Sequence, residues 1–596
     1  MRPLHLWRRA RHLGAAGVTL VAMAADDPAW LTVQAGRRIP HRLRGAVGRL
    51  ATRGDSPAAH AVWGELLLDR PERARERLAR QRRSGPLSRA LAVHAGAEPT
   101  GDAAGGALAR WSWLVGDLER TQALVDSGRV PERLAAKLSG DVEALRPGPR
   151  PVPSAPPRDW ASRGEEHRVV HVLTNSLPWT RSGYTHRTQA VLRAQQEAGI
   201  EVTAVTRPAY PVSIGRVLSD DVDLVDGVAY RRVVPTLLPP GEAGRIDTWA
   251  TELVRVAREH RATHLHSTTH YPNALAAQAA ARALDLPWVH EVRGQLERTW
   301  ASARRRAGDP APYASSRFVA WRAREAELAA AADHVVTISE TMRADLVRRG
   351  VEPGRVSVVP NGIDASLLQR DITPERARGV LGLPGSGLWV GAVSSVVHYE
   401  GLTDLVEAVA LLRAQGVDVR GAVVGDGVAW PDLSRRVAEL DLEGAFLLPG
   451  RLDRDDALRW LDALDVVVVP REDHEVTRLV PPLKVVEAMG AGRPVIASDL
   501  PALAEIVVPG ETGVLAPPGA PAALAEAVDS LLRDEDRRQE LAARGRVLAA
   551  DRTWGALAEN YREVYALCTR HVETTADHRA RPRATGGLDH HPERHS

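Results

Sequence analysis

The sequence predicts an α/β protein: two β/α halves, each a parallel sheet covered by helices, behind an α-helical N-terminal region. Three observations carry this. Residues 1–145 show helical apolar spacing and no strand pattern, and a proline-rich run interrupts the chain at 146–166. From His167 onward, buried-type runs rich in Val alternate with helical segments, as expected of parallel sheets covered on both faces. The 596 residues suffice for about three or four domains, and a hydrophobic content of 44% suffices for their cores. A net charge of +3 from 78 basic and 75 acidic residues gives no strong field for nucleic acid. The single cysteine, Cys568, excludes an internal disulfide and suits a reducing compartment.

At the N-terminus Arg8, Arg9, Arg11 and His12 precede an apolar run from Leu13 to Ala25. The run falls short of the ~20 apolar residues that span a bilayer. A helix packed in an N-terminal unit is the favoured reading of this Ala- and Gly-rich stretch, with peripheral membrane contact and a secretory signal as alternatives. Ala61–Leu68 and Leu108–Leu114 place apolar residues at helical spacing, and Gly116-Asp117 and Ser127-Gly128 punctuate them. The spacing resembles tetratricopeptide-like helix pairs without a clean period. Such a unit docks an acceptor, a partner or the catalytic half, or is a structural extension. The prolines between Pro147 and Pro157 favour extended, semi-rigid backbone and mark the clearest boundary.

Val169–Leu173 predicts a buried strand, followed by a helix near Thr188–Ala198 and a second strand at Val202–Val205. The first loop holds one glycine, Gly183, which allows close approach of a ligand ahead of a helix whose free N–H groups suit an anion. Ala262–Ser267 and Leu286–Gly294 read as strand ends opening into a cleft. Arg293 there either holds a phosphate or an anionic acceptor, or is neutralised by Glu291 or Glu297. Val335–Ile338 is a strand, Ser339 caps a helix running to Arg349, and Asn361-Gly362 is a turn.

The second half begins with the strand Leu388–Val393, the loop from Ser394 and Ser395 to Gly401, and a helix from Leu402. Gly425-Asp426-Gly427 suggests dinucleotide binding, but Trp430 fills the third glycine position. Phe446–Leu452 and Ala463–Arg471 contain the next strands. The second leads into Arg478–Glu487, where a crevice at strand C-termini binds ligands in open α/β sheets. Lys484 stands out there, because it and Lys137 are the only lysines in a chain that otherwise uses Arg. Lysine is a compact charge that grips a phosphate end-on, whereas Arg is a bidentate fork.

Arg478 through Pro482-Leu483-Lys484-Val485-Val486-Glu487-Ala488-Met489, followed by Gly492-Arg493-Pro494-Val495-Ile496-Ala497, resembles the donor-binding signature of family-4 glycosyltransferases. These enzymes have the GT-B fold and transfer a sugar from a nucleotide diphosphate with retention. Glu487 matches the second of the family's paired glutamates, and Leu479 stands in place of the first. The stretch is similar to a branch carrying Arg-x-x-Thr-Pro-Leu-Lys-x-x-Glu-Ala-Met, with Pro481 for Thr. The resemblance covers roughly residues 167–567.

It implies two Rossmann-like domains facing across a cleft, an acceptor-side domain at 167–370 and a donor domain at 371–552. A crossing helix at 553–570 follows, then a His-rich tail at 571–596 expected to be disordered. Gly183, Ser394, Ser395, Gly450, Leu483 and Glu487 are implied for donor binding, with Glu487 on the ribose and the loop after Gly450 beside the base. Arg478, Lys484 and Arg293 are implied as catalytic. Many members carry Arg and Lys in the loop where this chain has Ser394, Ser395 and Glu400, so Arg478 and Lys484 are expected to supply the charge. The co-substrate implied is a nucleotide-diphosphate sugar with no essential metal, and no His/Cys/Asp cluster has metal-ligand spacing. A glycan, a lipid-linked molecule or a small molecule is the acceptor. The expected setting is bacterial glycan or envelope polysaccharide synthesis, cytoplasmic or at the inner face of the membrane. A nucleotide-sugar epimerase on the same scaffold and a non-catalytic glycosyltransferase-like binding protein are the alternatives.

Overall fold

Short runs of Val and Ala with no polar interruption are stable as strands only when both faces are covered, which places them in parallel sheets between helices. The computed structural model describes residues 13–580 apart from 24–26, 28, 30–31, 34–35, 37–40, 54–57, 69, 82–84, 101–104, 161–165, 217–218 and 386, without the side chains of 41–42 and 570–580. Arg8, Arg9, Arg11, His12 and the tail from 581 lie outside the described residues.

Among the described residues two sheets form. The first comprises β1 (Arg168–Leu173), β2 (Glu201–Thr206), β3 (Val222–Val225), β4 (Val228–Arg231), β5 (His264–Thr268), β6 (Trp288–Val292), β7 (His334–Thr337) and β8 (Val356–Val358), in the order β3-β4-β2-β1-β5-β6-β7-β8. Every pairing is parallel except the β3/β4 hairpin at one edge. The second comprises β9 (Leu388–Val393), β10 (Val419–Val424), β11 (Phe446–Gly450), β12 (Val466–Val469), β13 (Val495–Ser498) and β14 (Gly513–Ala516), all parallel, in the order β11-β10-β9-β12-β13-β14. These are the two α/β halves that the sequence predicts. In each, the order reverses beside the first strand, between β1 and β5 and between β9 and β12. Such reversals leave a crevice outside the strand C-termini.

The first predicted helix starts earlier than its apolar spacing suggests. It spans Gly183–Glu197, because Ser182 and Thr185 form a reciprocal capping box ahead of the apolar face. Ser339 caps its helix as expected, accepting from the Met342 amide. The helix Trp554–Ala580 crosses back onto the first half, burying Tyr561 and Tyr565 against Gly183–Glu197 and the β6–β7 region. Tyr565 accepts from Gln195 Nε2 at 3.1 Å and lies 2.8 Å from His266 Nδ1.

The N-terminal region is helical, with His41–Ala51, Ala59–Leu67, Pro71–Ala79, Pro86–Ala95, Gly105–Val115, Leu118–Asp126 and Glu132–Ala144 packing on their sequence neighbours. Residues 13–23 are helical with Ala15, Ala16, Thr19 and Ala22 buried. Among the described residues no helix is long and apolar enough to cross a membrane. The last of these helices docks on Glu242–Glu259, where Asp141 accepts from the Glu242 amide at 2.9 Å. Arg317 of the first half lies over the Trp113, Trp300 and Trp321 rings at 4.2, 5.1 and 5.6 Å, a cation–π cluster that ties the helical region down. The proline-rich segment lies along the first half as a strap. Arg150 pairs with Asp247 at 3.0 and 2.6 Å, and Trp160 Nε1 donates to the Ala262 carbonyl at 2.9 Å.

Candidate functional site

The loops after β9 and β12 lie side by side because their strands are neighbours. Gly401 permits the closeness: at φ +62° a Cβ there would stand 1.8 Å from the Pro470 carbonyl. Lys484, the second residue of the helix Leu483–Gly490, reaches this point. Its Nζ donates to Ser394 Oγ at 2.6 Å and to Glu400 Oε2 at 2.5 Å. The other Glu400 oxygen accepts from Arg471 Nη2 at 3.2 Å, and Arg471 Nη1 donates to the Val480 carbonyl at 2.7 Å. Burial favours a neutral Glu400, but Arg471 and Lys484 outweigh it and hold the carboxyl below its usual range. Burial pulls the Lys484 ammonium down, opposed by Glu400. Two cations thus share one carboxylate, leaving a net positive charge fixed at the strand ends, suited to an anion.

Glu487 lies one helical turn from Lys484, on the same face. Both line a cavity of about 130 Å³ with Arg454, Val393, Leu458 and Leu461. Arg454 Nη1 is 3.8 Å from Glu487 Oε1, and burial raises the Glu487 carboxyl against the pull of Arg454 and Lys484. Leu483 opens the helix, half-buried, and Ser395 is exposed, its carbonyl accepting from Ser394 Oγ at 3.0 Å. Gly450 ends β11 at φ +80°, its carbonyl accepting from the Gly425 amide at 2.9 Å.

Arg478 is not gathered into this cluster. It sits on the short helix Glu475–Leu479, its side chain 56% exposed, and its Nε and Nη2 bind Asp473 at 2.5 and 2.6 Å. The cation that joins Lys484 through Glu400 is Arg471, which sequence reasoning passed over. Its signal was its place immediately after the Val-Val-Val-Val-Pro run, at a strand C-terminus beside the switch point.

In the first half a pocket of about 200 Å³ opens at the C-termini of β1 and β5, lined by Thr174, Asn175, Thr269, His270, Tyr184 and Arg293 among others. Gly183 is the first residue of its helix, and a Cβ there would meet nothing within 4 Å. Gly294 makes room for Tyr184, whose hydroxyl would stand 2.4 Å from a Cβ at 294. Arg293 is buried and committed: Nη2 binds Glu291 at 2.6 Å, Nη1 donates to Thr188 Oγ1 at 2.6 Å, and its amide donates to Thr269 Oγ1 at 2.7 Å. Glu291, fully buried, also accepts from Arg187 Nη2 and the Tyr561 hydroxyl, each at 3.0 Å. Burial opposes its ionisation, yet Arg293, His266 and Arg187 hold its carboxyl well below the usual range. His290 is turned into the core beside Ser267 Oγ at 2.9 Å, and burial lowers it to about 4.

Loops at the C-terminal ends of the two sheets meet. Asn361 Nδ2 donates to the Pro481 carbonyl at 3.0 Å, Ser339 Oγ to the Leu479 carbonyl at 3.3 Å, and Arg451 Nη2 to the Arg181 carbonyl at 3.1 Å. Among the described residues no three His, Cys, Asp or Glu side chains are grouped to hold a metal ion.

Residues 181–367 match the family model described as Glycosyltransferase Family 4, and residues 387–534 the one described as Glycosyl transferases group 1. A D-inositol 3-phosphate glycosyltransferase of Kineococcus radiotolerans is 29% identical over 445 residues, covering 69% of this chain and 97% of the relative. One from Thermomonospora curvata is 30% identical over 404 residues, covering 63% and 89%. The 2-deoxystreptamine glucosyltransferase of Streptomyces kanamyceticus is 30% identical over 359 residues, covering 57% and 87%. Among solved structures, the sucrose-phosphate synthase of Thermosynechococcus elongatus superposes with a TM-score of 0.55 at 21% identity, over 68% of this chain and all of that one, a likeness of fold. With the two matched segments spanning both α/β halves and these relatives covered over most of their length, the chain belongs to the family-4 glycosyltransferases of the GT-B fold.

Proposed function

We propose that the enzyme moves a sugar from a nucleoside-diphosphate donor to an acceptor hydroxyl, with retention at the anomeric carbon and without an essential metal, in the cytoplasm and in the making of a bacterial glycan or envelope polysaccharide. The observation that carries this reading is the buried cluster of Lys484, Glu400 and Arg471 at the ends of β9 and β12, where cations outnumber the carboxylate. The donor diphosphate sits against that excess charge, with Lys484 Nζ and the Ser394 hydroxyl on its oxygens. Glu487 accepts from the ribose hydroxyls, for which a carboxylate is well suited, and the loop after Gly450 flanks the base.

As the bond to the sugar breaks, negative charge grows on the leaving phosphate. Cations fixed in advance stabilise that charge more than they stabilise the ground state. The acceptor hydroxyl enters from the pocket at the ends of β1 and β5. Attack on the face from which the phosphate departs gives retention, and a leaving-phosphate oxygen takes the acceptor proton. Arg293, neutralised by Glu291, acts by holding Thr188 and the pocket wall.

Calorimetry with UDP, GDP and ADP, with and without a chelator, on wild type and Lys484→Ala tests the reading. Micromolar binding of one nucleotide, indifferent to the chelator and weakened about tenfold or more by the substitution, supports it. Failure of all three to bind, or equal binding by the variant, counts against it.

A further inference from the structure

The mouth of the interdomain contact holds a feature apart from the cluster of Lys484, Glu400 and Arg471. Arg181, Arg216 and Arg451 line one open cleft of about 620 Å³, together with Pro178, Trp179 and Thr180, and among the described residues no acidic one lines it. The three arginines come from separate segments: the loop before Gly183–Glu197, the segment following the turn at Val212–Ile214, and the loop after β11. Many arginines of this chain are matched by acids, as with Arg370 and Asp462, Arg349 and Glu297, or Arg378 and Asp465. Among the described residues no ion pair joins these three to an acid. The Arg216 guanidinium stands 5.9 Å from the Trp179 ring centroid, and the contact of Arg451 is to the Arg181 carbonyl at 3.1 Å. Asp223, bonded to Trp179, is taken: it accepts from Trp179 Nε1 at 2.7 Å and pairs with buried Arg232 at 2.7 Å.

Guanidinium groups drawn to one cleft repel one another, and an anion that joins them relieves that repulsion. Guanidinium forks suit phosphate oxygens bidentately, and an indole face suits the apolar face of a sugar ring. The same basic field reaches His186, on the first helix of the half. Burial lowers its imidazole, and Arg454, Arg181 and Arg451 push it further down.

We infer that this cleft binds a phosphate group carried on a sugar ring by the acceptor substrate, with Arg181, Arg216 and Arg451 on the phosphate and Trp179 against the ring. The inference deepens the transferase reading above and rests on it for the word acceptor; the anion site itself stands on the cleft. Because Arg451 belongs to the donor half and Arg181 and Arg216 to the first half, a bound phosphate bridges the two and holds the cleft closed over the donor. It selects phosphorylated acceptors over neutral ones through charge alone.

The test titrates glucose 1-phosphate, inorganic phosphate and glucose into the full chain, first free and then saturated with its preferred nucleoside diphosphate, for wild type and an Arg181→Gln/Arg216→Gln variant. The expected result is binding of glucose 1-phosphate to the nucleotide-saturated protein, tighter than inorganic phosphate and with no binding of glucose. The paired substitution should weaken it about tenfold or more, leave nucleotide affinity within about twofold, and leave the melting temperature unchanged. Binding of inorganic phosphate as tight as the sugar phosphate would remove the role of Trp179 and of the acceptor ring. No binding of either anion to wild type overturns the site. Loss of nucleotide affinity in parallel with anion affinity overturns it too, by assigning the arginines to the donor. Wild type that takes the sugar phosphate but no nucleotide would leave the anion site in place and remove the transferase reading on which its role as acceptor site rests.

Discussion

Lys484 Nζ stands 2.5 Å from Glu400 Oε2. The lysine made conspicuous by its rarity is held by a carboxylate in the very loop where the family resemblance places Arg and Lys, and that carboxylate also recruits Arg471 at 3.2 Å. The site therefore restores its positive charge from a different strand end.

Truncating Lys484 removes the charge closest to the Ser394 hydroxyl. Lys484→Ala should lower kcat about a hundredfold, the usual cost of one fixed group that stabilises transition-state charge. Arg478→Ala should cost far less, because Arg478 is engaged by Asp473 at the surface. Steady-state rates of the two variants separate these roles, and equal losses would return Arg478 to the site.

Glu291 neutralises Arg187 and Arg293 in the core and accepts from Tyr561 of the crossing helix. Glu291→Ala leaves two buried cations without a counter-charge and should cost about 3–5 kcal/mol in urea unfolding. Its carboxyl is depressed in the folded state, so its contribution is complete above the unfolded value of about 4.3 and is lost as pH falls through the lower folded value. The acid limb of the stability profile should flatten in Glu291→Gln.

Glu325 behaves in the opposite sense. Burial, reinforced by Glu297, raises it to about 7, while its Oε1 accepts from the Tyr271 amide at 3.0 Å and Trp321 Nε1 at 2.9 Å. The folded chain keeps this proton where the unfolded chain has lost it, so stability falls as pH rises from about 4.5 to about 7 and is level above that. The loss across this window should be roughly 3 kcal/mol. Thermal melts of Glu325→Gln should lose this slope.

Glu505 of the donor half caps a helix of the other half, accepting from the Glu340 and Thr341 amides at 2.9 and 2.6 Å and from the Thr341 hydroxyl. Glu505→Ala removes a cap worth about 1 kcal/mol and should loosen the two halves. Hydrogen exchange at amides 340 and 341 should speed up while the sheet cores stay protected, and unchanged exchange would refute the latch.

Some of this was local in the chain and so could be read there. The runs Val169–Leu173, Leu388–Val393 and Val466–Val469 became buried β1, β9 and β12, because an uninterrupted apolar run has one way to hide both faces. Ser339 announced its helix, whereas the stretch from Arg478 to Glu487 read as a loop and the structure folds Leu483–Gly490 into the helix that puts Lys484 and Glu487 on one face. The edge hairpin β3/β4 went unread because its short strands are partly exposed and carry no buried-strand signal. The prolines between Pro147 and Pro157 predicted extended backbone, but only the contacts with Asp247 and Ala262 showed that the segment is fastened down as a strap.

The sequence by itself determined the fold class and the family and singled out Lys484 and Glu487, since each depends on residues a few positions apart. Tertiary structure alone decided which cation partners Lys484. Arg471 lies 71 residues beyond Glu400, and the two meet only because β9 and β12 pair across the reversal of strand order. Arg478 lies much closer to Lys484 along the chain, yet Asp473 captures it first. Hydrophobic periodicity is written along the chain, whereas the order of strands and the choice among competing ion pairs are settled only when distant segments are packed and desolvated together.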